Sequence, residues 1–318
     1  MKVSLIVPCR NERAHIRSFL DNIQTFEQPA TCAIEMLIAD GNSTDGTREI
    51  LNEHSIRVID NPEGIASTAL NRAIALSTGD VIIRLDVHAR YASDYVVQCL
   101  NVLQESGADN VGGAARAMAH GYMQEAIAAA YNSPYACGGA RFHDVDYEGW
   151  VDTVTFGCWP RELFDRLGLF DETLVRNQDD EHNLRITLNG GKIFQSPRIQ
   201  CWYEPRSTLT ALFRQYYQFG YWKVRVIRKH GRAAALRHLV PATFVGTEIL
   251  LAAFSLFNVW AARLLMATTG LYLGFLIAAS LRICIPRRKK LLPVVPAVLA
   301  AYQLSYGLGF LVALVRNR

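Results

Sequence analysis

The sharpest chemical element in this 318-residue chain is Asp86-Val87-His88. An acid and an imidazole two residues apart, just after an apolar run, can face the same side and share a divalent cation. A diphosphate leaving group needs such a cation, because it neutralises charge as the bond breaks. The imidazole bears on metal choice: it suits Mn²⁺ better than Mg²⁺, which prefers all-oxygen surroundings. Loop hydrogen bonds alone could also account for this pair, so its neighbours decide. Pro8-Cys9-Arg10-Asn11-Glu12 follows the first apolar run, and Asp40 leads into Gly41-Asn42-Ser43-Thr44-Asp45-Gly46-Thr47 at the end of the second. Residues 61–72 add a glycine turn and a helix bearing Asn71 and Arg72. Further on, Asp179, Asp180 and Glu181 open another helix. Acids there satisfy the helix dipole; equally, one of them can act as a general base near a cationic site.

Elements must position these residues. Residues 3–7, 33–39, 57–59 and 81–85 read as strands, with helices at 14–24, 47–51 and 65–77. Strands alternating with helices imply an α/β fold, a mostly parallel sheet with helices on both faces. Ligands of such sheets bind beyond the carboxyl ends of the strands, where 10–12, Asp40 and 86–88 fall. From 107 to 205 the pattern is less regular, with a strand at 110–115 and helices at 123–131, 161–167 and 179–188. The chain has no G-x-G-x-x-G and no G-K-[ST], so neither a dinucleotide fold nor a P-loop is supported.

Composition separates the two ends of the chain. Half of its residues are hydrophobic and 19% are charged, against about 25% in an ordinary soluble protein. Seven cysteines stand singly without a C-x-x-C pair, which argues against structural zinc and fits a reducing compartment. From residue 239 onward Glu248 is the single acid against eight basic residues, which leaves −3 on the first 238. That basic excess flanks apolar runs, so it is no nucleic-acid footprint. The stretches 239–260, 264–285 and 291–315 each reach the ~20 residues that a bilayer-spanning helix needs. With the basic segments 225–237 and 287–290 on the cytosolic side, the first two form a hairpin with an outer turn near 260–263. Pro293 and Pro296 leave the third free to re-enter instead of spanning. The apolar run at 3–7 is too short for a signal-peptide core, which predicts a cytosolic front domain. The expected organisation is 1–205 as that domain, 206–238 as an interfacial segment and 239–318 as the membrane domain.

Together, in this order, the turn at 8–12, the loop at 40–47, the 61–72 segment and Asp86-Val87-His88 resemble glycosyltransferase family 2, the inverting enzymes of GT-A fold. The resemblance covers roughly residues 3–230, and Gly168-Leu169-Phe170-Asp171-Glu172 and Asp179 through Arg185 also fit it. Residues 84–89 and the three C-terminal spans look most like the succinoglycan-type exopolysaccharide glucosyltransferases. The resemblance implies that Pro8, Arg10, Glu12, Asp40 and Asp86 bind the nucleotide sugar, with Asp40 near the base. It implies that Asp86 and His88 hold Mn²⁺ or Mg²⁺ on the diphosphate, and that Asp179 is the catalytic base. Two departures matter. Gln178 replaces a common glutamate before the base, which leaves Asp180 as an alternative, and His88 replaces the second aspartate of D-x-D, which leaves the metal open.

The activity so implied moves a hexose, glucose from UDP-glucose, onto a polyprenyl-diphosphate-linked saccharide. The setting is a bacterial inner membrane, with membrane lipids as partners and no nucleic acid. Residues 208–229 mix aromatic and basic side chains, as an interfacial helix does. Gln218-Phe219-Gly220-Tyr221-Trp222 approaches the Q-x-x-R-W of processive synthases with Tyr221 in place of arginine, and makes Trp222 a candidate platform for the acceptor sugar. Other readings share these features: a polyprenyl-phosphate glycosyltransferase, a processive synthase, and a catalytically silent nucleotide-binding membrane scaffold.

Overall fold

Val3, Leu5 and Val7 of strand β1 (Lys2–Cys9) enter one hydrophobic core, and Ile6 enters another on the opposite face. A strand side chain alternates faces with period two, so an apolar run of this kind belongs where both faces are covered. The computed structural model describes residues 1–29, 32–286 and 288–316. β2 (Ala33–Asp40), β3 (Arg57–Asp60) and β4 (Val81–Arg84) run parallel to β1 in the spatial order β3-β2-β1-β4. The helices α1 (Ile16–Gln24), α2 (Thr47–Glu53) and α3 (Ala66–Leu76) alternate with them, as the sequence predicts.

Beyond β4 the chain departs from simple alternation. After β5 (Ala89–Tyr91) and α4 (Tyr95–Ser106), the expected strand at 110–115 divides into β6 (Asn110–Gly113) and β7 (Ala115–Ala117). β6 joins the main sheet and β7 a small one of order β5-β11-β7, where β11 is Cys201–Tyr203. At Gly113 a Cβ would lie 1.7 Å from the Ile199 carbonyl oxygen, so only glycine admits that approach. β8 (Gly149–Val151), β9 (Thr155–Pro160) and β10 (Ile193–Gln195) complete an eight-stranded sheet of order β3-β2-β1-β4-β9-β6-β10-β8. β9 is antiparallel to both β4 and β6. One core draws on α1 and α4, the other on α3, α6 (Glu162–Leu167) and α7 (Gln178–Leu188). These elements form the first of two compact units, residues 1–117 with 141–204.

The second unit joins residues 118–140 to the chain from 205 onward. It holds α5 (Tyr122–Tyr131), α8 (Leu209–His230), α9 (Val240–Ser255), α10 (Val259–Cys284) and α11 (Val295–Arg316). The helical stretches Leu236–Ser255, Val259–Cys284 and Val295–Arg316 are long and apolar enough to cross a membrane. Leu250, Phe254, Leu271 and Ile277 are exposed along α9 and α10, a surface that hydrocarbon would cover. The break between α9 and α10 lies at residues 256–258, before the expected turn at 260–263, because the Asn258 side chain caps α10. Its oxygen accepts from the N–H groups of Trp260 and Ala261, at 2.8 and 3.3 Å. Pro296 falls in the first turn of α11, where a missing N–H costs nothing, and the helix runs unbroken to Arg316. Arg287 of the basic quartet and the last two residues of the expected membrane domain lie outside the described residues. α8 meets α11 through glycines: Cβ atoms at Gly220 and Gly309 would each lie 2.0 Å from a carbonyl oxygen of the other helix. α5 is tied in by Tyr302 Oη to the Ile127 carbonyl at 3.3 Å and by an ion pair of Glu125 with Lys290 at 2.7 Å.

His182 of α7 is wholly buried against Trp159, Phe164 and Phe170. Burial first, and the Arg185 charge second, lower its pKa from 6.5 to about 4. The unfolded chain therefore takes up this proton near pH 6.5 and the folded chain only near pH 4. The stability contributed by the neutral ring is intact above pH 6.5 and is lost as pH falls toward 4, by up to ~3 kcal/mol. Denaturant midpoints should fall between pH 7 and pH 5 in the parent protein, and fall less in a His182→Leu variant.

Candidate functional site

In the parallel register Cys9 lies opposite Asp40, Asp40 opposite Asp60 and Ile6 opposite Arg84. β1, β2 and β4 therefore deliver their loops to one edge of the sheet. The loops after β1 and β2 are bonded to each other. Asn11 N–H donates to Ser43 Oγ at 2.8 Å, and Thr44 N–H returns to Asn11 Oδ1 at 2.9 Å. Glu12 N–H donates to Thr47 Oγ1 at 2.8 Å and Arg13 N–H to Asp45 Oδ2 at 3.0 Å. Asn11 and Asn42 take φ of 55° and 57°, a left-handed conformation that asparagine adopts more readily than other side chains. The Asp40 carboxylate is wholly buried and accepts from Ser43 N–H at 3.1 Å and Ser43 Oγ at 2.5 Å, with the Arg48 guanidinium 3.7 Å away. Pro8 is half-buried opposite Ala39, and Arg10 reaches across to donate to the Gly64 carbonyl at 3.1 Å. Gly64 has φ +67°, and a Cβ there would sit 2.5 Å from the Arg10 guanidinium.

The turn after β4 carries Asp86 and His88. Asp86 N–H donates to the buried Tyr91 hydroxyl at 2.7 Å, and Asp86 Oδ1 accepts from His88 N–H at 2.9 Å. His88 Nε2 lies 2.9 Å from Glu12 Oε1, and the His15 ring meets the His88 ring edge-on at 4.7 Å. Glu12, His15 and His88 can offer ligand atoms within 4.8 Å of one another. Asp86 and His88 alone were expected to take this part. His15 escapes sequence reasoning because a lone histidine at a helix start carries no motif, although its three-residue spacing from Glu12 was there to see. The donor set, carboxylates with imidazoles, fits a divalent cation. The local field has the matching sign: burial and then the charges of Asp40, Glu12, Asp45 and Asp86 push the Cys9 thiol pKa up.

α7 brings Asp179 to the same edge. Asn177, with φ 62°, turns the chain into the helix. Asp179 Oδ1 accepts from Asp180 N–H at 2.8 Å, and Asp179 Oδ2 lies 3.4 Å from Arg84 Nη1. Arg84 is 7% exposed and lies 5.9 Å over the Phe156 ring. Phe156 itself takes φ 64°, a strained conformation for a bulky side chain. The sequence places Arg84 in the 84–89 stretch without giving it a role and does not point to Phe156, though a cation ending an otherwise apolar strand two residues before Asp86 is a usable signal. Other polar residues of the motifs hold α7 in place. Asn71 Nδ2 donates to the Phe170 carbonyl at 2.8 Å and its Oδ1 accepts from Phe170 N–H at 2.9 Å. Arg185 donates to the carbonyls of Leu167 and Leu169 at 2.6 and 2.7 Å and pairs with buried Glu181 at 3.0 Å. Trp222 belongs to the second unit, on α8, with the Arg225 guanidinium 4.6 Å over its ring.

Residues 4–150 match glycosyl transferase family 2. The succinoglycan biosynthesis protein ExoA of Rhizobium meliloti (strain 1021) is 32% identical over 244 residues, covering 74% of this chain and 73% of ExoA. Dolichyl N-acetyl-alpha-D-glucosaminyl phosphate 3-beta-D-2,3-diacetamido-2,3-dideoxy-beta-D-glucuronosyltransferase of Methanococcus voltae is 26% identical, covering 99% of this chain and 98% of that protein. Among solved structures, the mannosyltransferase PcManGT from Pyrobaculum calidifontis, in complex with GDP-Man and Mn²⁺, aligns with a TM-score of 0.63 at 20% identity. That alignment covers 96% of this chain and 86% of PcManGT. Residues 1–349 of TarS of S. aureus, in complex with UDP, align with a TM-score of 0.53 at 14% identity, covering 100% of this chain and 92% of that fragment. The sheet order and the likeness to ExoA over nearly three quarters of the chain agree: the chain belongs to glycosyltransferase family 2 and is a glycosyltransferase of GT-A fold.

Proposed function

We propose that the chain is a membrane-anchored inverting glycosyltransferase that moves glucose from UDP-glucose onto a polyprenyl-diphosphate-linked saccharide. The contact of Arg84 with Asp179 carries this reading. It holds the α7 carboxylate beside the strand end that bears Asp86, so both can serve one reacting centre. Pro8, Arg10, Glu12, Asp40 and Asp86 bind the donor, with buried Asp40 near the base. Asp86 and His88 hold a divalent cation, Mn²⁺ or Mg²⁺, which when bound supplies positive charge opposite the departing diphosphate. Asp179 takes the proton of the acceptor hydroxyl while that oxygen attacks the anomeric carbon from the face opposite the nucleotide. One displacement breaks the bond to the diphosphate, forms the new glycosidic bond and inverts the anomeric centre. Asp180, the next residue, is the alternative base.

The acceptor reading draws support from the relatives. The M. voltae enzyme is named for transfer to a lipid-phosphate-linked sugar and ExoA for succinoglycan biosynthesis. GDP-Man and UDP in the two aligned structures support a nucleotide-sugar donor. The three apolar helices would fix the enzyme in a bacterial inner membrane with residues 1–205 in the cytosol. The basic aromatic segment 206–238 would lie among lipid headgroups, with Trp222 its candidate platform for an acceptor sugar. Tethering confines enzyme and lipid-borne acceptor to one thin layer, which supplies proximity.

Purified protein in detergent, given UDP-glucose, Mn²⁺ and a polyprenyl-lipid extract, should release UDP in a lipid-dependent manner. Asp86→Ala and Asp179→Ala should each cut that release by about 10²- to 10⁴-fold. Release that survives Asp179→Ala would move the base to Asp180 or the acceptor to a lipid phosphate. No release with any donor, with nucleotide binding intact, would leave a silent scaffold. Arg84→Lys keeps the charge but loses the planar fork. Its kcat should fall about tenfold with little change in the donor KM, as steady-state kinetics would read.

A further inference from the structure

We infer that Glu12, His15 and His88 together form a three-ligand site for a divalent transition ion, in which His15 is a metal ligand. The inference rests on the proposed role of His88 and deepens it: the cation is held by protein ligands from two loops, not by the turn after β4 alone. The geometry is close to a formed site. The separation of 2.9 Å between Glu12 Oε1 and His88 Nε2 is near the ~3.0 Å edge between adjacent ligands of an octahedral ion with bonds of ~2.1 Å. The remaining separations stay within 4.8 Å, and closing them needs a shift on the order of 1 Å per side chain, with His15 and His88 exposed and Glu12 half-buried. The backbone already sets both loops. The Glu12 carbonyl accepts from His15 N–H at 2.9 Å and from Ile16 N–H at 2.8 Å, so one turn presents both side chains. Glu12 N–H is pinned to Thr47, and His88 N–H to the Asp86 carboxylate.

Two imidazoles and one carboxylate select for the ion. Imidazole nitrogen suits Zn²⁺, Co²⁺ and, less strongly, Mn²⁺, whereas Mg²⁺ sheds water reluctantly and favours oxygen. Ligands from the turn after β4 alone leave a cation dependent on the oxygens of a bound diphosphate. Three protein ligands remove that dependence, so this site binds metal before nucleotide.

Co²⁺ titrated into tag-free, nucleotide-free protein in detergent tests this by calorimetry and by the visible absorption of the ligated ion. The parent protein should bind one equivalent, displaced by Zn²⁺ and not by a large excess of Mg²⁺. His15→Ala and Glu12→Gln should each weaken binding at least tenfold, and His15→Ala should leave the fold intact because His15 is exposed. Equal Co²⁺ affinity in the parent protein and His15→Ala would overturn the site, as would failure of the nucleotide-free parent to bind. Either result obtained with full transferase activity would spare the proposed reaction. Co²⁺ binding that depends on His15, with no transfer from any donor, would sink the proposed reaction and support the site.

Discussion

The parallel register of β1 between β2 and β4 is the constraint on which the rest depends. Because Cys9 pairs with Asp40 and Ile6 with Arg84, three chain segments leave the sheet at one edge, within reach of each other. Apolar alternation into two cores drives that arrangement, and the hydrogen bonds between the first two loops then sharpen it. Each such bond contributes on the order of 1 kcal/mol, too little to build the fold but enough to choose one loop conformation. A slip of one residue in β1 would turn its core side chains to the wrong face and would pull Asn11 and Glu12 away from Ser43 and Thr47.

The polar residues at this edge divide by what they touch. Asn71, Glu181 and Arg185 are spent on carbonyls and each other, and they fix where α7 begins. Ser43 and Thr47 likewise face inward, onto Asp40 and the β1 loop. Glu12, His15, His88 and Asp179 keep their chemistry facing outward, the Asp179 side chain 43% exposed. Arg84 joins the two sets: buried on the strand that leads to Asp86, it reaches the carboxylate that opens α7. Buried polar groups of this kind are costly unless fully paired, which is why the scaffold residues bond mostly to backbone atoms that cannot move away.

Much of this architecture is legible in the amino-acid sequence. The first four strands and their helices were readable because apolar runs and turn residues alternate at the spacing that a βαβ unit imposes. The three apolar helices were readable from length alone, and α7 from its acids. β9 was hidden because Phe156 and Gly157 at positive φ, with Pro160 at its end, contradict strand propensity; tertiary packing overrides it. The split of 110–115 between two sheets turns on one close approach at Gly113, which hydropathy does not encode. Hydropathy does not show the break at 256–258 for a similar reason, since a single asparagine cap weighs little against long apolar flanks. Residues 118–140 read as an ordinary Ala-rich helix, and nothing in their pattern says that they cluster with the second unit. His15 and Arg84 stand at positions the sequence marks, but their roles are not encoded there, because His88 and Asp179, which they meet, are distant in sequence.

In the proposed reaction a cation held at the ends of β1 and β4 and the carboxylate that opens α7 act from opposite sides of a single anomeric carbon. The anomeric configuration of the first product tests this arrangement most directly, read by proton NMR from the coupling between the sugar's first two ring protons. A single displacement predicts a β-linked product from the α-linked nucleotide sugar. A product that keeps the donor's configuration would contradict it, since Asp179 could not then be the base in an in-line attack.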